Sequence, residues 1–177
     1  MKKIILLLVL HFAITNAFCQ TVIFREPFDS PNFPGAWKIK QGSWQIADLA
    51  QKRIKPPGGD NYFALAGTAS GGNAEIEISI PIAPFKEPVT QFQLSFNYWA
   101  YSNPTGIIVS VDLLSDKGIV LSHTLGQNLL QKGKWDLFDQ KFKVTNNVFY
   151  IRVTLVGLLS PITNSNIYFK NFVLSKK

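Results

Sequence analysis

Cysteine is almost absent from this sequence, with Cys19 the only copy among 177 residues. A chain with one cysteine cannot be a small domain stapled by disulfides, and it lacks the cysteine pairs of common zinc sites. Histidine is also scarce, with His11 and His123 as its two copies. A serine or cysteine nucleophile usually needs a neighbouring base, and after the first residues only His123 could serve. We therefore predict no catalytic residues, no metal and no cofactor.

Acidic residues are in the minority, with 11 Asp and Glu against 18 Lys and Arg, so the formal net charge is +7. The basic residues are scattered among acidic and apolar ones. Nucleic-acid-binding proteins instead concentrate their charge in an arm or a recognised motif. The distribution favours a solvated surface, with an anionic polysaccharide or cell surface as the alternative, and it predicts no nucleic-acid partner.

A long apolar run occurs at the start of the chain. Lys2 and Lys3 precede an apolar stretch over residues 4–14, which is the arrangement of a secretory signal peptide. The stretch is shorter than the roughly 20 residues that a membrane-spanning helix requires. It therefore predicts export, with no membrane span in the mature chain.

The cleavage site is predicted from small side chains. For a cut before Gln20, Ala17 lies three residues and Cys19 one residue before the cleaved bond. Signal peptidase favours small side chains at these two positions. We therefore predict a signal peptide at residues 1–19 and a secreted, periplasmic or extracellular domain at residues 20–177. Lipidation of Cys19 is the alternative, although the bulky residue before it disfavours that processing.

The rest of the sequence is typical of β-strands. Segments rich in β-branched and aromatic residues alternate with Gly, Pro, Asn and Ser clusters, and no stretch of helical length remains between these breaks. The predicted strands cover residues 22–28, 37–46, 62–66, 74–80, 89–101, 107–114, 119–125, 135–144, 148–156 and 167–174. We predict one all-β domain, an antiparallel β-sandwich.

Period-two alternation identifies the residues that face the core. Phe96 lies mid-strand on the apolar phase of residues 89–101, and Val111, Ile151 and Val153 occupy the same phase of later strands. One apolar and one polar face per strand is typical of a sheet that is buried on one side. We expect these four side chains to be buried.

Six segments together resemble galactose-binding-like jelly-roll domains, which include carbohydrate-binding modules of secreted bacterial proteins. The segments are "FREPFDSPNFPGAWKIKQGSWQI", "FQLSFNYWAY", "IIVSVDLLSDKGIVL", "KWDLFDQKFKV", "VFYIRVTLVG" and "NIYFKNFVLS". The resemblance spans essentially all of residues 20–177. It implies a jelly-roll fold and sugar binding.

One position departs from that resemblance. Relatives often carry an acidic residue in the last strand, where this chain has Lys170, and some use acids near the two termini to bind structural calcium. The positively charged side chain of Lys170 at this position argues against a bound calcium ion. Glu26 and Asp29 nevertheless remain candidate oxygen ligands.

The polar face of residues 89–101 is a candidate ligand surface. Asn97, Trp99 and Tyr101 share one phase there, and flat rings beside amides are suited to stacking on a sugar ring. The alternative is that Trp99 and Tyr101 pack under a loop at the rim of the sandwich. In that case they would contribute to stability rather than to binding.

Four further residues are candidates for ligand contact. Three of them are expected on the side of their strand that faces away from the core: Asp112, Tyr150 and Arg152. The fourth, Tyr62, adjoins a Pro-Gly-Gly turn. We expect the first three to join Trp99 in one surface, provided that their strands are neighbours.

Three functions are compatible with these patterns. The first is a secreted, non-catalytic module that recognises glycan or cell-surface polysaccharide. The second is a structural or assembly protein of the bacterial envelope that contacts another protein. A glycoside hydrolase is a distant third. Its best carboxylate pair, Glu75 and Glu77, would lie roughly 7 Å apart on one strand.

Overall fold

The computed structural model describes residues 20–48, 61–67, 72–83, 85–100, 106–129, 133–160 and 166–177. These residues form eleven strands and no helix: β1 (Thr21–Glu26), β2 (Lys38–Gln41), β3 (Ser43–Asp48), β4 (Tyr62–Gly67), β5 (Gly72–Pro81), β6 (Val89–Ala100), β7 (Gly106–Leu114), β8 (Val120–Leu129), β9 (Trp135–Thr145), β10 (Tyr150–Leu159) and β11 (Ile167–Lys176). The predicted all-β class is confirmed.

The strands form two antiparallel sheets that pack face to face. Sheet A has the order β3-β4-β11-β6-β9, with β1 also paired to β11, and sheet B has the order β2-β5-β10-β7-β8. Consecutive strands often belong to different sheets, so most pairings are between segments far apart in the chain. The architecture is a β-sandwich of jelly-roll type, as predicted.

The inner faces of the two sheets share one apolar core. Phe96 and Val111 are each 1% exposed, and Ile151 and Val153 are fully buried, which confirms all four predicted core positions. Aromatic rings are prominent between the sheets, and Phe96 stacks on Phe138 with ring centroids 4.8 Å apart. The core therefore fills the space between the two sheets.

The segment from β2 to β3 differs from its prediction. The sequence predicted one strand over residues 37–46, but two strands form there: β2 pairs with β5 in sheet B and β3 pairs with β4 in sheet A. The chain crosses between sheets at Gly42, whose φ is +73°, and a Cβ there would lie 2.9 Å from Cα of Ala74. Only glycine accommodates that conformation and that close approach.

β8 extends further than predicted. The sequence placed a break at Gly126, because glycine commonly ends a strand, yet β8 continues to Leu129. Gly126 faces the interior, where a Cβ would lie 2.9 Å from the ring of Phe138. Glycine is therefore required here by close packing rather than by a turn.

The described part of the chain contains no helix with the length and hydropathy needed to cross a membrane.

Candidate functional site

A row of polar side chains crosses the outer face of sheet B. Arg152 on β10 lies opposite Asp112 on β7, and Asp112 lies opposite His123 on β8. Their neighbours along each strand, such as Val111 and Val153, face the core, so alternation turns all three polar side chains outward. The expectation that Asp112 and Arg152 lie on neighbouring strands is confirmed.

These side chains form one connected network. Arg152 donates from Nε and Nη2 to Oδ2 of Asp112 at 2.9 and 2.5 Å. Nδ1 of His123 lies 2.5 Å from Oδ1 of the same carboxylate and 3.4 Å from Oγ of Ser110. Nε of Arg152 also lies 4.0 Å from Oε2 of Glu77 on β5. We call Glu77, Ser110, Asp112, His123 and Arg152 the outer polar row.

Asp112 is the central member of the outer polar row and is only 7% exposed. Burial by itself raises the pKa of Asp112, but hydrogen bonds from His123 and Arg152 outweigh burial and hold the pKa below its ordinary value. Asp112 therefore stays ionised at neutral pH. It can act as a fixed acceptor, whereas a general acid would need a raised pKa.

The contacts of His123 do not form a Ser–His–Asp triad. Ser110 and Asp112 both approach Nδ1 of the imidazole, whereas a triad uses one ring nitrogen for the nucleophile and the other for the carboxylate. His123 is about half exposed, with 49% of its side-chain surface accessible. The ring is therefore partly open to solvent and is not arranged to activate Ser110 as a nucleophile.

Tyr150 lies at one end of this face. It starts β10, pairs with Leu114 on β7 and is 38% exposed. A partly exposed ring two residues from Arg152 provides the flat apolar surface that the outer polar row itself lacks.

Asn97 and Trp99 do not belong to the same surface. Both lie on β6, which is in sheet A, whereas β7 and β10 are in sheet B. The expectation that one surface joins all the candidate residues is therefore wrong for these two. Period-two alternation assigns residues to a face of a strand, but it does not reveal which sheet the strand joins. The third residue of that candidate group, Tyr101, lies outside the described residues.

Trp99 is buried, with 9% of its surface exposed. Its ring packs edge-on against Tyr168 with centroids 5.1 Å apart, within a second apolar cluster on the outer side of sheet A that includes Phe63 and Leu65. Asn97 is half-buried and accepts a hydrogen bond at 3.1 Å from the amide of Asn171. Trp99 is thus packed, as in the alternative that the sequence left open, but it packs against strand residues rather than under a loop.

A buried lysine on β11, Lys170, lies beside the start of β4. Lys170 is 0% exposed, and its Nζ donates to the backbone carbonyl of Tyr62 at 2.6 Å. Tyr62 is itself half-buried at the start of β4. The sequence drew attention to Lys170 as a cation in the last strand, but its burial was not foreseen.

The two acids considered as metal ligands differ in their surroundings. Oε1 of Glu26 accepts the backbone N–H of Phe28 at 3.0 Å, and burial raises the pKa of Glu26. Asp29 is exposed. Among the described residues, no group of three or more histidine, cysteine or acidic side chains is arranged to hold a metal ion.

Sequence reasoning missed Glu77 and His123 as members of the outer polar row. His123 was considered only as a possible base, and Glu77 only as part of a carboxylate pair for hydrolysis. The β7–β8 register does carry a usable signal, because the turn closed by Ser115 and Ile119 fixes which residues of the two strands face each other. Counting back from that turn brings His123 close to Asp112.

No protein-family model and no curated protein matches the sequence. The fold is nevertheless similar to solved structures. The carbohydrate-binding module TmCBM61, solved with β-1,4-galactotriose, matches with a TM-score of 0.59 and 12% identity over 85% of this chain and 94% of that one. The CBM22-1 xylan-binding domain of Paenibacillus barcinonensis Xyn10C matches with a TM-score of 0.61 and 11% identity over 89% and 95%.

The same fold also occurs in enzymes. The enzymatically active domain of bacteriophage CBA120 tailspike protein 4 matches with a TM-score of 0.62 and 14% identity, over 85% of this chain but only 20% of the tailspike chain. A Stig cyclase from Fischerella matches with a TM-score of 0.60 and 13% identity, over 89% of this chain and 98% of that one. These likenesses establish the jelly-roll fold, and function has to be argued from the outer polar row.

Proposed function

We propose that this protein is a secreted, non-catalytic glycan-binding domain whose ligand lies across the outer face of sheet B. The observation that carries the proposal is the outer polar row. A buried, ionised Asp112 is fixed between Arg152 and His123 in the middle of an otherwise open sheet face. Such a network removes charged groups from water, which costs free energy. Its presence on a sheet surface is therefore better explained by ligand recognition than by a contribution to stability.

The row has the hydrogen-bonding chemistry that sugars need. Each sugar hydroxyl both donates and accepts, and the row offers carboxylate acceptors beside guanidinium, imidazole and hydroxyl groups. Tyr150 adds a ring on which the apolar face of a pyranose can stack. The solved relatives that bind galactotriose and xylan support this choice of ligand class.

The charge of the face favours a neutral glycan. Glu77 and Asp112 place two carboxylates within 4.0 Å of one guanidinium, that of Arg152, so the row carries no excess positive charge. An anionic polysaccharide would meet these carboxylates at close range and be repelled. The net charge of +7 is spread over the whole chain and does not select the ligand.

Replacing Arg152 with alanine is expected to weaken glycan binding by roughly 10- to 150-fold, which corresponds to the loss of about 1.5 to 3 kcal/mol for a hydrogen bond to a charged group. Affinity electrophoresis on gels containing neutral polysaccharides, β-1,4-galactan and xylan among them, measures the effect. Asp112→Ala should act in the same direction, because it removes the acceptor and the group that orients Arg152.

Arg25→Ala is the matched control, because Arg25 is an exposed arginine on β1 of sheet A. It should leave retardation unchanged. Equal losses in Arg25→Ala and Arg152→Ala would show that retardation does not depend on the outer polar row. Trp99 is unsuitable for this assay, since truncating a buried ring would disturb the fold.

The secretion component has its own test. Cleavage between Cys19 and Gln20 should leave Gln20 as the first residue, and with Lys2 and Lys3 removed the net charge would be +5. Intact-mass measurement of the protein recovered from the cell envelope or culture medium gives the answer. A retained N-terminus or a diacylglyceryl adduct on Cys19 would contradict the predicted processing.

A further inference from the structure

A cleft opens between the two sheets at one end of the sandwich. Its volume is about 380 Å³, which lies within the usual range of small-molecule sites, roughly 300 to 1,000 Å³. Ile23 lies on β1 of sheet A, and Ile82 follows β5 of sheet B, so both sheets contribute to its lining. None of its described lining residues belongs to the outer polar row.

The inner lining of the cleft is apolar. Ile82 is 7% exposed, and Ile23 and Phe85 are partly buried and pack against the main core. The ring of Phe85 packs edge-on against the fully buried Phe92, with centroids 5.3 Å apart. Ala83 completes the apolar part of the lining. A hydrocarbon chain placed here would therefore remove apolar surface from water.

The solvent side of the cleft is charged. Its charged lining residues are Lys86, Glu87 and Lys176. Nζ of Lys176 lies 4.7 Å from the centroid of the Phe85 ring and 3.6 Å from Oε2 of Glu87, whose side chain is 66% exposed. Two ammonium groups and one carboxylate leave one positive charge in excess at this mouth.

The Lys176 side chain indicates the shape of molecule that the cleft accommodates. Its apolar stem lines the cleft, and its charged end lies beside both the Phe85 ring and the carboxylate of Glu87. An aliphatic chain therefore fits against this lining, and a carboxylate fits beside the ammonium group. A fatty-acid anion combines these two parts in one molecule.

We propose that this cleft binds a medium-chain fatty-acid anion, with its chain against Ile23, Ile82 and Phe85 and its carboxylate at Lys176. Glu87 lies on the exposed side of the ion pair, so it can turn toward water when the ligand carboxylate takes its place. The volume limits the chain length. At roughly 30 Å³ for a group the size of a water molecule, the cleft holds about a dozen such groups.

The local charge favours an anion over other amphiphiles of the same length. A carboxylate gains contact with Lys176 and lies near the second ammonium group, that of Lys86. A neutral alcohol buries the same chain but gains no charged contact. A cationic head group would be repelled by both lysines.

Titration calorimetry with sodium octanoate, sodium decanoate and 1-octanol, each below the concentration at which it aggregates, tests the ligand class. Each methylene that enters the apolar lining strengthens binding roughly three- to fourfold, so decanoate should bind about tenfold more tightly than octanoate. Octanoate should in turn bind more tightly than 1-octanol. Absence of decanoate binding, or equal binding of octanoate and 1-octanol, would overturn the proposal.

Lysine variants test the carboxylate contact. Lys176→Met keeps an apolar side chain and removes the charge, so decanoate binding should weaken by about tenfold or more, with 1-octanol binding unchanged. Lys117→Met is the matched control, because Lys117 is exposed in the turn between β7 and β8, away from the cleft. Equal losses in the two variants would show that binding follows overall charge, and would overturn the proposal.

Methyl NMR locates the ligand without any substitution. Decanoate should shift the methyl signals of Ile23 and Ile82 and leave those of Ile39 and Ile119 unchanged, although these two are 50% and 60% exposed. Shifts of similar size at all four isoleucines would show detergent-like adhesion to apolar surface and would contradict a defined site in the cleft.

Discussion

Replacing Phe96 with alanine is expected to lower the free energy of unfolding by about 3 to 5 kcal/mol. Phe96 is 1% exposed in the middle of β6. Its ring stacks on Phe138 at 4.8 Å and on Phe172 at 6.2 Å, with interplanar angles of 14° and 11°. Truncation removes these contacts and leaves a cavity that the rigid sheets cannot fill. Denaturant unfolding of both proteins measures the difference.

Leu137→Ala is the control for the Phe96 prediction. Leu137 lies on β9, opposite Asn97 and next to Phe138 in sequence, but it is 54% exposed. Its truncation should change stability by no more than about 0.5 kcal/mol. If Phe96→Ala were equally mild, the inner and outer faces of β6 would have been assigned the wrong way round.

Replacing Lys170 with alanine should destabilise the fold by about 2 to 5 kcal/mol, because a fully buried side chain would be lost. Lys170→Met retains most of the volume and removes the ammonium group. The carbonyl of Tyr62 then loses the donor that lies 2.6 Å away, so we expect a residual cost of about 1 to 3 kcal/mol. Thermal or denaturant unfolding of both variants separates the packing contribution from that of the hydrogen bond. Wild-type stability in Lys170→Met would contradict a stabilising role for the charged group.

Local alternation was sufficient to predict most of the strands and their buried faces. In a strand with one buried face, every second side chain points into the core. Phe96, Val111, Ile151 and Val153 could therefore be assigned to the core without knowledge of the strand pairing. The outward direction of Asp112 and Arg152 follows from the same rule. Their contact was predicted only conditionally, because it requires β7 and β10 to be neighbours.

Long-range pairing could not be predicted from the sequence. Trp99 has the polar phase of its strand, yet side chains from β4 and β11 bury it on the outer side of sheet A. Residues 37–46 were predicted as one strand, and strand propensity does not reveal that the chain crosses from one sheet to the other at Gly42. The burial of Trp99 and the crossing at Gly42 both depend on contacts between segments that are distant in sequence.

The central claim is that glycan binds over the outer polar row of sheet B, and an NMR titration tests it most directly. The ligand is the neutral oligosaccharide whose parent polymer retards the protein on gels. We expect shifts in the side-chain signals of Arg152 and His123, and no change in the indole N–H of Trp99. Shifts at Trp99 and Asn97 with the outer polar row unaffected would contradict the claim and move the binding surface to sheet A.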